Sequence, residues 1–231
     1  MTTEYSTALI VGSGSGLSAS LTRLLAREGF KVALAARNIE KLASLCESTG
    51  ATAYACDATD AAQVAQLFQD VEHKVGAPDV VIYNASARAR GPFVSLVASE
   101  VEQAIRVSAF GGFLVAQEAA RRMLTKGHGA ILFTGASASV KGYAQSAPFA
   151  MGKFALRGLA QSMARELAPL GIHVAHFIID GGIRNPGRGE APKNPDSMLD
   201  PDAIAGNYLH FLRQPRSAWT WEMELRPWVE K

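Results

Sequence analysis

Thr7-Ala-Leu-Ile-Val-Gly12-Ser-Gly-Ser-Gly16-Leu-Ser18 is the stretch that decides the fold of this 231-residue chain. Thr7 to Val11 is a short apolar run, glycine and serine alternate from Gly12 to Gly16, and Leu17, Leu21, Leu24 and Leu25 then fall on one side of a helix. The unit reads as strand, glycine turn, helix. Such a turn at the carboxyl end of a parallel strand lets a pyrophosphate approach the backbone, and the helix N-terminus offers its N–H groups to the anion. Two registers are open. From Gly14 the spelling is Gly-x-Gly-x-x-Ala, ending at Ala19, which is the general dinucleotide fingerprint. From Gly12 it is Gly-x-x-x-Gly-x-Ser, ending at Ser18. Both put Gly12, Ser13, Ser15, Gly16 and Leu17 beneath the phosphates, with the Ser13 and Ser15 hydroxyls as further donors.

The pattern repeats outward from there. Phe30 to Ala36 is apolar on nearly every residue, as a strand buried on both faces must be. Asn38 caps a helix from Ile39 to Thr49 that Gly50 closes, Thr52 to Cys56 gives a third strand, Asp60 to Val75 a helix and Asp79 to Asn84 a fourth strand. Ser99 starts a long helix to Lys126 with Gly111-Gly112 as its weak point, since glycine costs about 1 kcal/mol against alanine inside a helix. Ala130 to Thr134, Pro148 to Ala168 and His173 to Ile179 continue the alternation, and Pro201 to Arg213 and Trp221 to Leu225 close it with a helix and a seventh strand. The expectation is an α/β, single-domain Rossmann fold over 1–231, a doubly wound seven-stranded parallel sheet with helices on both faces, its ligands at the carboxyl ends of the strands. Asp180 to Leu199, rich in glycine and proline, reads as a loop closing over a substrate.

Composition narrows the function classes. A formal charge of +2 and the lack of any Lys/Arg run give no electrostatic footprint for nucleic acid. No apolar run approaches the roughly 20 residues that span a bilayer, and the polar stretch Met1 to Thr7 lacks the pattern of a signal peptide. A cytoplasmic protein is expected. Cys46 and Cys56 have neither metal-ligand nor redox spacing and read as reduced packing residues; no metal site is expected.

The second strand ends in Ala36-Arg37. An acidic residue there would bind a ribose 2′-hydroxyl and select NAD, whereas an arginine receives the 2′-phosphate of NADP. Arg37 therefore points to NADP(H). With Asp57 after strand three, Tyr83-Asn84-Ala85-Ser86 after strand four, and Lys153-Phe-Ala-Leu-Arg-Gly-Leu-Ala-Gln-Ser-Met-Ala-Arg-Glu-Leu followed by Gly171-Ile-His-Val, the chain resembles the short-chain dehydrogenase/reductase family from about Thr7 to Asn185. The resemblance implies that Asp57 and Ala58 contact adenine, that Asn84 and Ala85 line the cofactor, that Ile183 meets it beyond strand six, and that Lys153 holds the nicotinamide ribose. It also implies a homodimer or homotetramer paired through the two long helices, and Phe154, Leu156, Leu159 and Met163 read as core or subunit contacts. Trp219, Trp221 and Trp228 either anchor such an interface or cover the last strand.

Where that family carries a catalytic Tyr four residues before its Lys, this chain has Phe149, which bears no proton. The family's Ser position falls on Ala136 or, one residue on, Ser137, and Ser108 takes the place of its Asn. Lys153 is the member kept. Tyr143, in the loop before the helix, and Asp180, at the end of strand six, are candidate replacement proton donors; His176, inside an apolar strand, reads as a core histidine. The expected activity is oxidoreduction of a small carbonyl, alcohol or unsaturated substrate with altered acid/base groups, and the alternative is a non-catalytic NADP(H)-binding subunit. Substrate contacts are expected from Arg88 to Ser95 and from the 180–199 loop.

Overall fold

The structure, a computed structural model, describes residues 5–185 and 196–230. Seven strands form one sheet in the order β3-β2-β1-β4-β5-β6-β7. They are β1 (Thr7–Val11), β2 (Lys31–Ala36), β3 (Thr52–Ala55), β4 (Val80–Tyr83), β5 (Gly129–Thr134), β6 (Ile172–Ile179) and β7 (Glu222–Leu225), and every neighbouring pair is parallel. The helices are α1 (Leu17–Arg27), α2 (Ala43–Thr49), α3 (Ala61–Lys74), α4 (Ala98–Ile105), α5 (Gly111–Lys126), α6 (Ala147–Leu167) and α7 (Pro201–Leu212).

Strand alternation builds two cores. Ala8, Ile10, Leu34, Ile82, Leu132 and Phe177 face one side, against Leu17, Leu21 and Leu25 of α1 and Ile204, Tyr208 and Phe211 of α7. Leu9, Val11, Ala35, Tyr83, Ile131 and Phe133 face the other, against Val64 and Phe68 of α3, Val115 and Met123 of α5 and Leu156 and Ala160 of α6. Burial on both faces explains why β1, β4, β5 and β6 are largely apolar rather than alternating. Trp219 covers the edge of β6, its ring stacked 4.6 Å from that of His173, while Trp228 is exposed.

Two expectations are corrected. The helix expected from Ser99 to Lys126 starts at Ala98 and is broken by a π turn at Arg106–Phe110. The glycines after the turn serve close packing: a Cβ on Gly111 would lie 2.5 Å from the Tyr83 hydroxyl oxygen, and one on Gly112 2.7 Å from Leu156 Cδ1. The widened turn presents the Val107 carbonyl to the Tyr83 hydroxyl, which donates to it. The helix expected to begin at Ile39 begins as a 3-10 turn at Glu40–Leu42, with Asn38 Oδ1 accepting from Glu40 N at 2.9 Å. Of the 180–199 loop, residues 186–195 lie outside the described residues. Its described ends are tied together: Arg184 N donates to the Leu199 carbonyl (2.9 Å) and Leu199 N to that of Gly182 (2.8 Å).

The chain runs from β1 outward through β2 to β3, then returns to set β4 on the other side of β1. That reversal opens a crevice at the carboxyl ends of β1 and β4. Among the described residues no helix is long and apolar enough to cross a membrane.

Candidate active site

Two clefts occupy this crevice, of about 260 and 330 Å³. Asn84 and Ser86, just past β4, line both, so the two clefts are neighbours.

The first cleft lies over β1, β2 and β3. It is lined by Gly12, Ser13, Arg37, Asp57, Ala58, Asn84 and Ala85, all expected from sequence, together with Lys41 and Cys56. Gly12 has φ +89°, and a Cβ on it would lie 2.3 Å from Ala85 N, so only glycine fits this contact. Asn84 Nδ2 donates to the Gly12 carbonyl at 3.2 Å, tying the tip of β4 to the turn. Ser18, in the last position of the Gly12 register, clips the turn shut: its Oγ accepts from Gly14 N (2.8 Å) and donates to the Gly14 carbonyl (3.1 Å). Gly16, at the N-cap of α1, makes no side-chain cap, and the first turn holds no acidic residue, so the N–H groups there suit an anion. Two serines of the turn are placed differently. Ser13 Oγ is buried and donates to the Ile10 carbonyl at 2.9 Å, and Ser15 is exposed and lines neither cleft. Asp57 Oδ1 accepts from the Thr59 N–H and hydroxyl, both at 2.9 Å, which sets its carboxylate at the cleft wall. Burial pushes the Cys56 thiol up to about 11, with Asp57 and Asp60 adding to the shift.

The second cleft lies over β5 and β6 and is lined by Gly16, Leu17, Arg88, Thr134, Gly135, Ala136, Phe149, Lys153, Ile183 and Asn185, among others. Phe149 and Lys153 come from the buried stripe of α6, which continues through Gly152, Leu156 and Ala160. Lys153 is 2 % exposed, and its Nζ donates to the Thr134 carbonyl at 2.7 Å. Burial, reinforced by the charge of Arg88, lowers its pKa to about 7. Lys153 can therefore hold or release a proton near neutrality. The Arg88 guanidinium carbon lies 4.2 Å from the centre of the Phe149 ring, and Lys153 Nζ 5.9 Å from the same centre.

Other candidates lie elsewhere. Tyr143 is half exposed outside the described lining of this cleft, beside Lys141, whose Nζ is 5.8 Å from its ring centre. Ser137 opens a short 3-10 turn outside the lining, whereas Ala136 is in it. Ser108 is fully buried in the π turn, where Gly152 permits close approach: a Cβ there would meet Ser108 Cβ at 2.7 Å. Asp180 is buried and ion-paired with Lys141 at 3.1 Å.

Beneath the cleft floor runs a chain of polar groups that no local pattern announced. Arg157 donates to Glu222 through Nε (2.6 Å) and Nη2 (2.8 Å), and Glu222 Oε2 lies 3.1 Å from His176 Nδ1. His176 Nε2 lies 3.2 Å from Ser139 Oγ, which accepts from the backbone N–H of Ala136, also at 3.2 Å. Burial pushes His176 down to about 4, so the ring is neutral. Nδ1–H then donates to Glu222, Nε2 accepts from the Ser139 hydroxyl, and every member is satisfied. Burial acts to raise the pKa of Glu222, but its bonds to Arg157 and the His176 contact outweigh this and hold it low. Ser139 is fully buried, so this is support for Ala136 and Gly135 and not a nucleophile.

Sequence reasoning missed Lys41, Thr134 and this buried chain. Lys41 falls in the helical stretch expected just after Arg37, and that was the one signal available. The others are joined by contacts between residues far apart in sequence.

A profile of the short chain dehydrogenase family matches residues 6–193. Short chain aldehyde dehydrogenase 1 of Euphorbia lathyris is 30% identical over 177 residues, which cover 74% of this chain and 62% of that protein, less than two thirds of its length. An uncharacterised oxidoreductase of Staphylococcus aureus strain N315 is 27% identical over 228 residues, covering 95% of this chain and 96% of that one. The crystal structure of a short-chain dehydrogenase from Rhodopseudomonas palustris superposes with a TM-score of 0.83 at 37% identity, covering 98% of this chain and 100% of that one. Glycine turn, reversal crevice and family match agree: the chain belongs to the short-chain dehydrogenase family, whose members bind nicotinamide cofactors.

Proposed function

We propose that this chain is an NADP(H)-dependent short-chain oxidoreductase acting on a small carbonyl, alcohol or unsaturated compound, with acid/base groups altered from those of its family. The observation that carries this reading is the adjacency of the two clefts, which share Asn84 and Ser86 in their walls, with Arg37 and Lys41 in one and Lys153 in the other. In this reading the Gly12–Gly16 turn and the N-terminus of α1 hold the pyrophosphate, Asp57 and Ala58 flank the adenine, and Arg37 with Lys41 receives the 2′-phosphate. A guanidinium and an ammonium together suit a dianionic phosphate better than a neutral hydroxyl. Asn84, Ile183 and Lys153 hold the nicotinamide half.

When bound, the nucleotide supplies or accepts hydride. The chain's own task is then the proton. Phe149 has none to give, and Tyr143 and Ser137 stand outside the cleft lining, so Lys153 takes the acid/base role directly. Its lowered pKa, about 7, leaves both protonation states populated near neutrality.

A homodimer or homotetramer in the cytoplasm completes the proposal. Supporting it, Phe113 and Leu124 of α5 and Met151 and Phe154 of α6 are exposed apolar side chains, and α5 and α6 together border an apolar groove.

NADPH oxidation, followed with a panel of neutral aldehydes, ketones and enones, tests the reading. Turnover that Lys153→Met abolishes is expected. Tight NADPH binding with no oxidation by any acceptor would instead mark a non-catalytic nucleotide-binding protein.

A further inference from the structure

We propose that Arg88 stabilises the charge that develops on the substrate oxygen, in place of the hydroxyl that Phe149 lacks. The inference rests on the oxidoreductase reading above. Arg88 follows β4, lines the same cleft as Phe149 and Lys153, and stacks on the Phe149 ring with its guanidinium carbon 4.2 Å from the ring centre. Phe149 is 7 % exposed and fixed in α6, so the stack holds the cation at a defined place over the ring. Among the described residues lining this cleft, Arg88 and Lys153 are the cations, and none is acidic.

Two other polar groups lining this cleft are already engaged. Asn84 spends an amide N–H on Gly12, and the Thr134 hydroxyl is paired with that of Tyr208 at 2.9 Å. The Ser139 hydroxyl lies buried beneath the floor. Arg88 has further contacts of its own. A guanidinium carries five N–H donors in a rigid fork, which lets it serve several oxygens at once.

The two cations divide the work. In reduction, a bound reduced nicotinamide nucleotide would supply the hydride for the new C–H bond, and the π pair of the C=O bond would move to the oxygen. Arg88 N–H groups hold that negative charge without giving up a proton. The Lys153 ammonium supplies the proton that makes the O–H bond, is left as a neutral amine, and is reprotonated from solvent. Arg88 also favours this transfer, because its charge lowers the proton affinity of Lys153.

The test uses 4-nitrophenol as a stable oxyanion probe, with the nucleotide-free protein and with protein saturated with NADP+. Wild-type protein is expected to bind the yellow phenolate and so lower the apparent pKa of the phenol. Arg88→Gln is expected to weaken phenolate binding by about tenfold or more, Arg88→Lys to keep part of it, and both to bind NADPH normally, which shows that they fold. With the neutral aldehyde 4-nitrobenzaldehyde as substrate, Arg88→Gln is expected to lower kcat by about 10²-fold with little change in KM. Phenolate binding that is absent in the wild type or untouched in Arg88→Gln, or a rise in KM alone, would overturn the proposal. Should NADPH fail to bind while phenolate binding still depends on Arg88, the cofactor reading falls and the oxyanion site stands.

Discussion

The α-carbon of Gly12 faces the backbone of Ala85 so closely that an added Cβ would lie 2.3 Å from the Ala85 nitrogen. This contact seats the glycine turn on the tip of β4 and makes one surface of the two strand ends. Gly12→Ala combines a positive φ with overpacking against backbone. It is expected to destabilise the fold by about 2–5 kcal/mol and to abolish nucleotide binding. Thermal unfolding and NADPH titration of the variant check both effects.

Arg37 and Lys41 both line the first cleft, where the proposal places the 2′-phosphate. Loss of a charged hydrogen bond costs about 1.5–3 kcal/mol, so Arg37→Ala is expected to weaken NADPH binding by roughly 10- to 100-fold while leaving NADH nearly unchanged. Lys41→Ala, which removes a flexible point charge, is expected to do less. The double variant is expected to bind the two nucleotides about equally, as measured by paired titrations.

Lys153 links chemistry to stability. Its pKa falls from 10.5 to about 7 on folding, so between those values the unfolded chain binds the extra proton. Stability therefore decreases as pH falls through that window, by up to about 1.4 kcal/mol per pH unit, and levels off below about 7. Lys153→Met has no such dependence: it is expected to be more stable than wild type at pH 7, with the difference shrinking towards pH 10. Urea unfolding across this range measures it. Carbonyl reduction by the wild type is expected to decline as pH rises above 7 and the proton donor empties.

Glu222 serves Arg157 and His176 at once, and Glu222→Ala leaves both without that partner. A loss of about 2–4 kcal/mol is expected, with a smaller loss for Glu222→Gln, which retains an acceptor. Because the His176 pKa drops from 6.5 to about 4 on folding, its contribution to stability is lost as pH falls from 6.5 towards 4. Glu222, whose pKa is lowered, adds a second loss below its ordinary value of 4.5. Denaturant unfolding of wild type and both variants at pH 7 and pH 5 separates the His176 contribution from the loss of the partner.

Local patterns carried the strands, the glycine turn and most of the crevice. Fully apolar runs such as Ala130–Thr134 correspond to strands buried on both faces, and Arg37 and Asp57 sit at strand ends that the same patterns locate. What escaped was set by tertiary contact. The π turn at Arg106–Phe110 answers to Tyr83, more than 20 residues away. His176 read as a core histidine and is buried as one, but its partners Ser139 and Glu222 come from other elements. Tyr143, a candidate proton donor from its place in the loop before α6, lies outside the described lining of the cleft, and the turn that follows it has Gln145 at φ +59°.

The central claim is a nicotinamide site that prefers NADP(H), and titration of the purified protein with NADPH and NADH, followed by nicotinamide fluorescence, tests it most directly. Saturable binding with NADPH favoured at least about tenfold is expected, the preference disappearing in the Arg37→Ala/Lys41→Ala variant. Equal binding of the two nucleotides by the wild type would contradict the role of Arg37, and binding of neither would contradict the cofactor site itself.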